Sequence, residues 1–226
     1  MKINAAIFDF NGTLFWDTEI NYKAWFNCIK KWLNRDYTRE EYFVLNGRTT
    51  PETLIQVFKK QLDNETIAKL SIEKDIEYFK VLEEEKDTIA LAPGIEELLT
   101  KLHANGIKVA IATSAPPQSM IEYEKYFKLS RFFKDEYIIS SDGSLASKPD
   151  PAIYLKAIET LNIDAPHCIV FEDTKSGIIS ATRAMINKIV AVNSNGADCN
   201  TINNLKETTF HISNFNEVKI NKLLDW

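Results

Sequence analysis

Short, almost continuously apolar runs recur along this chain, and a helical pattern follows most of them. Ala5–Phe10, Lys108–Ala112, Tyr137–Ser140, Cys168–Phe171 and Ile189–Val192 read as strands. Each is brief and apolar nearly throughout, as a strand covered on both faces must be. Ile95, Leu98, Leu99 and Leu102 then recur at helical spacing, between Pro93 and Gly106. Tyr154, Ala157, Ile158 and Leu161 repeat that spacing behind Pro149 and Pro151, and Ile178, Ala181, Thr182 and Met185 repeat it again. Strands alternating with helices predict an α/β fold built on a parallel sheet with helices on both faces.

The stretch 17–90 breaks the alternation, because it holds no convincing strand. Trp25, Cys28, Ile29 and Trp32 form one apolar helix face. Thr49-Thr50-Pro51-Glu52 has the form of a capping box, and Leu54, Phe58 and Leu62 stripe the helix expected after it. Ile72, Ile76 and Phe79 stripe a third helix, which runs into the solvated charge run Glu83-Glu84-Glu85-Lys86. The aromatic stripes read as core. A helical insert over 17–90 is therefore expected between the first strand and the remainder of the sheet, with 1–16 and 91–226 forming the sheet domain.

Composition narrows the class. The chain has 226 residues, 45% hydrophobic and 26% charged, enough for one large core with an insert. Its net charge of −5 and pI near 5.4 argue against a nucleic-acid partner, which needs basic surface. No apolar run reaches the length of a membrane span. Met1-Lys2-Ile3-Asn4 leads straight into structure without a small-residue cleavage site, so no signal peptide is expected. Cys28, Cys168 and Cys199 are odd in number and far apart, which suits free thiols in a reducing cytoplasm better than a disulfide or zinc framework. His103, His167 and His211 are scattered and are assigned no catalytic role. Oligomeric state is left open.

Candidate chemistry stands where the strands end, the edge at which open parallel sheets bind ligands. Asp9 follows the first strand and leads into the turn Asn11-Gly12-Thr13. Thr113 and Ser114 follow the second, Lys148 comes after the third, and Glu172-Asp173 close the fourth. Hard carboxylates suit Mg²⁺, while a lysine, hydroxyls and backbone amides suit phosphoryl oxygens. Taken singly, several have plainer readings. Thr113-Ser114 fits a helix N-cap equally well, Lys148 alone is a surface lysine, and Glu172-Asp173 could cap the next helix. The joint pattern favours phosphate and metal.

Asp9-Phe10-Asn11-Gly12-Thr13-Leu14, Val109-Ala110-Ile111-Ala112-Thr113-Ser114, Ser147-Lys148-Pro149-Asp150-Pro151 and Phe171-Glu172-Asp173-Thr174-Lys175-Ser176-Gly177 resemble, in order, the four motifs of the haloacid dehalogenase-like phosphatase superfamily. The branch they resemble is the β-phosphoglucomutase and phosphoglycolate-phosphatase-like group. The resemblance spans nearly the whole chain and implies a Rossmann-like parallel sheet with an inserted α-helical cap domain, here 17–90. It implies that Asp9 is a nucleophile forming an aspartyl-phosphate, and that Asp9, the Asn11 backbone carbonyl, Asp173 and Glu172 hold Mg²⁺. Thr113, with Ser114 and Ala115, would bind the phosphoryl group, and Lys148 would neutralise it. The implied activity is Mg²⁺-dependent phosphate removal from a small phosphorylated metabolite, such as a sugar phosphate.

Three features depart from that pattern. Asn11 stands where the family usually carries its acid–base aspartate. Asparagine keeps its backbone carbonyl for a metal, but its side-chain amide cannot usefully exchange a proton, a loss worth on the order of 10²–10⁴-fold. Asp17 and Glu19 are the candidates for a displaced proton carrier. Asn21 stands where mutases often have histidine, and Arg48 in Leu45-Asn46-Gly47-Arg48-Thr49-Thr50 is displaced from the usual mutase arginine, although it can still meet an anionic substrate. The alternatives are a phosphosugar mutase, or a weakly active binder of phosphorylated ligands.

Overall fold

The computed structural model describes residues 2–45, 48–194 and 199–224. Asn46 and Gly47 of the Arg48 loop lie outside the described residues. The chain divides into two compact units, one of 1–16 with 90–226 and one of 17–89.

Six parallel strands form the sheet of the first unit: β1 (Ala5–Phe8), β2 (Lys108–Thr113), β3 (Ile138–Ser140), β4 (Cys168–Glu172), β5 (Lys188–Val192) and β6 (Phe210–Ile212). Their order is β3-β2-β1-β4-β5-β6, so β1 pairs with both β2 and β4. The chain builds one side of β1, then returns to build the other. The ends of β1 and β4 therefore flank the crevice where such sheets place a ligand. β1 stops at Phe8 rather than Phe10, because the Phe10 carbonyl accepts from Thr13 and Phe15 to close a turn. β6 was not expected: in this short edge strand only Ile212 is buried, so no apolar run marks it.

The 17–89 unit consists of α1 (Thr18–Leu33), α2 (Arg39–Leu45), α3 (Thr50–Phe58) and α4 (Asn64–Glu84). Trp25, Ile29, Tyr37, Tyr42, Leu54, Val57 and Leu70 make its core. The capping box forms as expected: Thr49 accepts from the Glu52 amide, and the Glu52 carboxylate accepts from the Thr49 amide at 2.9 Å. Leu62, however, lies beyond α3, which ends at Phe58 ahead of a left-handed Lys59 (φ 53°). The expected face of α4 is also corrected. Ile72 and Ile76 are 61% and 64% exposed, whereas Leu70, Lys74, Tyr78 and Leu82 form the buried row. A lysine inside that row disguises it in the sequence. The Lys74 ammonium is buried at 5.8 Å from the Trp25 ring centre and 4.8 Å from that of Tyr78.

On the sheet unit lie α5 (Ile95–Ala104), α6 (Pro117–Phe127), α7 (Ala152–Leu161), α8 (Lys175–Arg183), α9 (Cys199–Asn203) and α10 (Ile220–Leu224). Ile7, Ala112 and Val170 pack with Tyr154, Ala157, Ile178 and Ala181. Phe8 instead stacks on Phe171 at 4.7 Å and meets Phe133 and Phe215. Each buried phenylalanine contributes about 1.5–3 kcal/mol, so the strand that delivers Asp9 is anchored from both sides. Burial pushes the Cys28 thiol up to about 11 and that of Cys168 up to about 12, and all three cysteines are free. No helix among the described residues is long and apolar enough to cross a membrane.

Candidate active site

The apolar β1 delivers a buried carboxylate, Asp9, whose backbone N–H donates to Phe171 O at 3.0 Å. The turn that follows needs glycine for two reasons. Gly12 has φ +83°, and a Cβ there would stand 2.1 Å from Asp173 Oδ2. The next residue, Thr13, is fully buried and donates its hydroxyl to Asp173 Oδ1 at 3.1 Å. The turn and the end of β4 thus fit together through Asp173.

Lys148 joins the carboxylates. Its Nζ donates to Asp9 Oδ1 and to Glu172 Oε1, each at 2.6 Å, and to Ala112 O at 3.2 Å. Burial opposes the ammonium, but the charges of Asp9 and Glu172 outweigh it and hold Lys148 well above the ordinary lysine range. Glu172 is fully buried and held at both oxygens. Oε1 also accepts from the Tyr154 hydroxyl at 3.0 Å, while Oε2 accepts from the amide and hydroxyl of Thr174. A Cβ on Gly177 would fall 1.6 Å from Glu172 Oε1, so α8 approaches as closely as its backbone permits.

Asp9, Glu172 and Asp173 bring carboxylate oxygens within 4.8 Å of one another. Three buried carboxylates around one ammonium leave an excess of negative charge. Burial, then the neighbouring Glu172 and Asp9 charges, push Asp173 well above the ordinary carboxylate range. An all-oxygen, anionic, partly uncompensated donor set suits a hard divalent cation. The end of β2 completes the edge. Thr113 is buried and its Oγ1 accepts from Ala115 N at 3.1 Å, Ser114 is exposed and Ala115 is half-buried.

Residues 6–191 match the family model of the haloacid dehalogenase-like hydrolases. The chain belongs to that family. This haloacid dehalogenase-like hydrolase is 31% identical to a phosphorylated carbohydrates phosphatase of Thermotoga maritima, over 84% of this chain and 85% of that protein. It resembles the crystal structure of a HAD hydrolase, family IA, variant 3, from Entamoeba histolytica with a TM-score of 0.92 and 32% identity, covering 99% and 98% of the two chains. CbbY from Rhodobacter sphaeroides shares the fold, with a TM-score of 0.82 at 22% identity over 99% and 100% of the two chains.

The remaining candidates of this hydrolase divide. Asn11 donates its side-chain amide to the Tyr123 hydroxyl on α6 at 3.0 Å. Glu19 is gripped by both terminal nitrogens of Arg39, at 2.6 and 2.8 Å, and that bond lowers its pKa. Asp17 is buried and accepts from the Tyr78 hydroxyl at 2.7 Å. Both carboxylates are thus engaged by partners within the helical unit.

Asn21 and Arg48 instead line a cavity of about 70 Å³ inside the helical unit, together with Tyr37, Tyr42 and Lys74. Asn21 donates to the Tyr42 hydroxyl at 3.2 Å. Among the described residues, Asn21 Oδ1 and the Tyr37 hydroxyl are buried without a hydrogen-bond partner. Burial lowers the Lys74 pKa, opposed by Asp75, Asp17 and Cys28. Sequence reasoning missed Thr13, Lys74, Tyr123 and Tyr154. Only Thr13 lay within a quoted motif; Tyr154 was read as part of an apolar stripe.

Proposed function

We propose that this hydrolase removes phosphate from a small phosphorylated metabolite, a phosphorylated carbohydrate by preference, through an aspartyl-phosphate on Asp9. The observation that carries this reading is the buried Asp9–Lys148–Glu172 chain at the tip of β1, with Asp173 alongside. A carboxylate can attack a phosphoryl group only where positive charge screens both anions. Lys148 supplies one such charge. Mg²⁺ is proposed as the second, held by Asp9, Asp173 and the Asn11 backbone carbonyl; when bound, it supplies charge neutralisation at the phosphoryl oxygens. Glu172 already uses both oxygens to hold Lys148, Tyr154 and Thr174, so its part is to hold the Lys148 ammonium beside Asp9.

Asp9 then displaces the leaving oxygen from phosphorus, and water later releases phosphate from Asp9. Thr113, Ser114 and Ala115 bind the phosphoryl oxygens. Within the 17–89 unit, the polar cavity with Arg48, Lys74 and Asn21 is the candidate site for a polar or anionic ligand. A mutase must exchange protons with two sugar hydroxyls, which Asn11 cannot do, so hydrolysis is favoured. Free thiols fit a cytoplasmic setting.

The test is phosphate release from a panel of sugar phosphates and p-nitrophenyl phosphate, with Mg²⁺ and with chelator. Asp9→Asn is expected to abolish turnover, and acid quenching of the parent enzyme should trap covalent phosphate. Full activity in Asp9→Asn would overturn the assignment.

A further inference from the structure

Lys148 carries its charge at the end of a flexible stem, and its three N–H donors can turn. The acceptors therefore decide where the ammonium stands. Asp9 Oδ1 and Glu172 Oε1 each accept at 2.6 Å, and Ala112 O accepts at 3.2 Å. The sheet itself places two of these acceptors. Asp9 directly follows β1, and Ala112 O belongs to the backbone of β2. The third is the tip of a long side chain, and the backbone of β4 alone does not fix it.

Tyr154 does. Its hydroxyl donates to Glu172 Oε1 at 3.0 Å, the same oxygen that accepts from Lys148. Thr174 holds the other oxygen, Oε2. A planar carboxylate held at each oxygen is fixed in both position and rotation. A Cβ on Gly177 would lie 1.6 Å from Oε1, so α8 leaves the carboxylate little room to shift toward it. The tyrosine is rigid in its turn. It sits fully buried on α7, in the cluster that holds Ala112, Val170 and Ile178. Its ring centre is 5.1 Å from Lys148 Nζ, so one side chain attends both partners of the ion pair.

We propose that Tyr154 is a positioning residue for phosphoryl transfer: by holding Glu172 Oε1, it sets where Lys148 presents its charge beside Asp9. The proposal rests on the aspartyl-phosphate reading above. That reading asks one ammonium to screen two anions, the attacking carboxylate and the phosphoryl group, as they meet. An ammonium that follows a mobile Glu172 still compensates the resting charges, but it leaves the place where the transition state needs it. The hydroxyl therefore acts on the chemical step more than on substrate binding. A tyrosine that merely fills the core and satisfies its own hydroxyl would act on folding stability alone.

The experiment compares the parent enzyme with Tyr154→Phe, Glu172→Ala and the double variant. Phenylalanine keeps the ring and its packing and removes only the donor. The readouts are steady-state kinetics, inhibition by orthovanadate as a mimic of the pentacoordinate transition state, and inhibition by inorganic phosphate. Tyr154→Phe is expected to lower kcat about tenfold or more while KM stays within about twofold. Vanadate inhibition should weaken by a similar factor, and phosphate inhibition by less than about threefold. Because the hydroxyl acts through Glu172, the same Tyr154→Phe change should cost less than about twofold in the Glu172→Ala background. If that background does not fold, the vanadate and phosphate comparison decides alone. Parental kcat in Tyr154→Phe, equal losses of vanadate and phosphate affinity, or an equal cost in both backgrounds would overturn the proposal. Activity surviving in Asp9→Asn would instead bring down the aspartyl-phosphate reading beneath it.

Discussion

Two glycines hold the geometry of the carboxylates. Gly12 and Gly177 occupy the places where any side chain would collide with Asp173 and Glu172. The stronger case is Gly177, whose Cβ would lie 1.6 Å from Glu172 Oε1, the oxygen that accepts from both Lys148 and Tyr154. A methyl there must displace either the carboxylate or the start of α8. Gly177→Ala is therefore expected to destabilise the protein by about 1–3 kcal/mol, the usual cost of overpacking. It should also depress kcat, because Lys148 loses its second anchor. Thermal melting and steady-state rates check this together. A variant that melts with the parent and turns over normally would show that α8 can give way at no cost. Tyr154 explains why the loss would spread. It is fully buried, its ring centre is 5.1 Å from the Lys148 ammonium, and it fixes the carboxylate that fixes the lysine.

Among the elements, α4 departs furthest from its sequence pattern. Lys74 occupies the buried row, and burial lowers its pKa against the pull of Asp75, Asp17 and Cys28. A lysine with a depressed pKa costs stability at neutral pH, and that cost fades as pH rises through its folded-state pKa. Lys74 lines the polar cavity with Arg48 and Asn21. Lys74→Met should thus stabilise the protein by about 1 kcal/mol or more, judged by the effect of replacing buried ions with apolar groups. It should at the same time raise KM for a phosphorylated carbohydrate, a trade of function for stability. Calorimetry with a KM determination reads both. A lower melting temperature would mean that the ammonium is net stabilising through Trp25 and Tyr78. The same helix shows the limit of pattern reading. Five strands were legible because short, nearly unbroken apolar runs alternating with helical patterns read as strands buried on both faces. The face of α4 was not, because its buried row contains a charge while Ile72 and Ile76 face outward. At the sheet edge, Asp9, Thr113, Lys148, Glu172 and Asp173 were legible because each sits at or shortly after a strand end. Tyr123 and Tyr154 were hidden, since a tyrosine in a helical stripe is indistinguishable from core until the fold shows where its hydroxyl points.

For the molecule as a whole, the carboxylate cluster sets how stability responds to pH and to a cation. Asp173 is raised well above the ordinary carboxylate range by burial and by the Glu172 and Asp9 charges. The metal-free folded state therefore holds a proton that the unfolded chain releases near pH 4. Stability from this group is fully present below that pH and is lost as pH rises through the folded-state pKa. The surface carboxylates lowered by their partners, Glu19 beside Arg39 and Glu73 beside Lys31, act in the opposite direction, but their contribution is complete once the pH exceeds about 4.5. Lys148, raised by its carboxylates, loses its contribution only above the ordinary lysine range. Between about pH 5 and 8, the slope that remains from these groups is the downward one from Asp173. A divalent cation bound by these carboxylates would replace the proton, so it should remove the Asp173 part of that slope. Melting temperatures of chelator-treated protein are expected to fall from pH 5 to pH 8. Mg²⁺ at a hundredfold excess over its Kd, worth about 2.7 kcal/mol, should raise the melting temperature more at pH 8 than at pH 5. Asp173→Asn should lose the Mg²⁺ response and make the slope shallower, leaving the part that Asp75, also raised by burial, contributes. An equal Mg²⁺ shift at the two pH values would separate the metal from Asp173, leaving the proton and the cation on different groups.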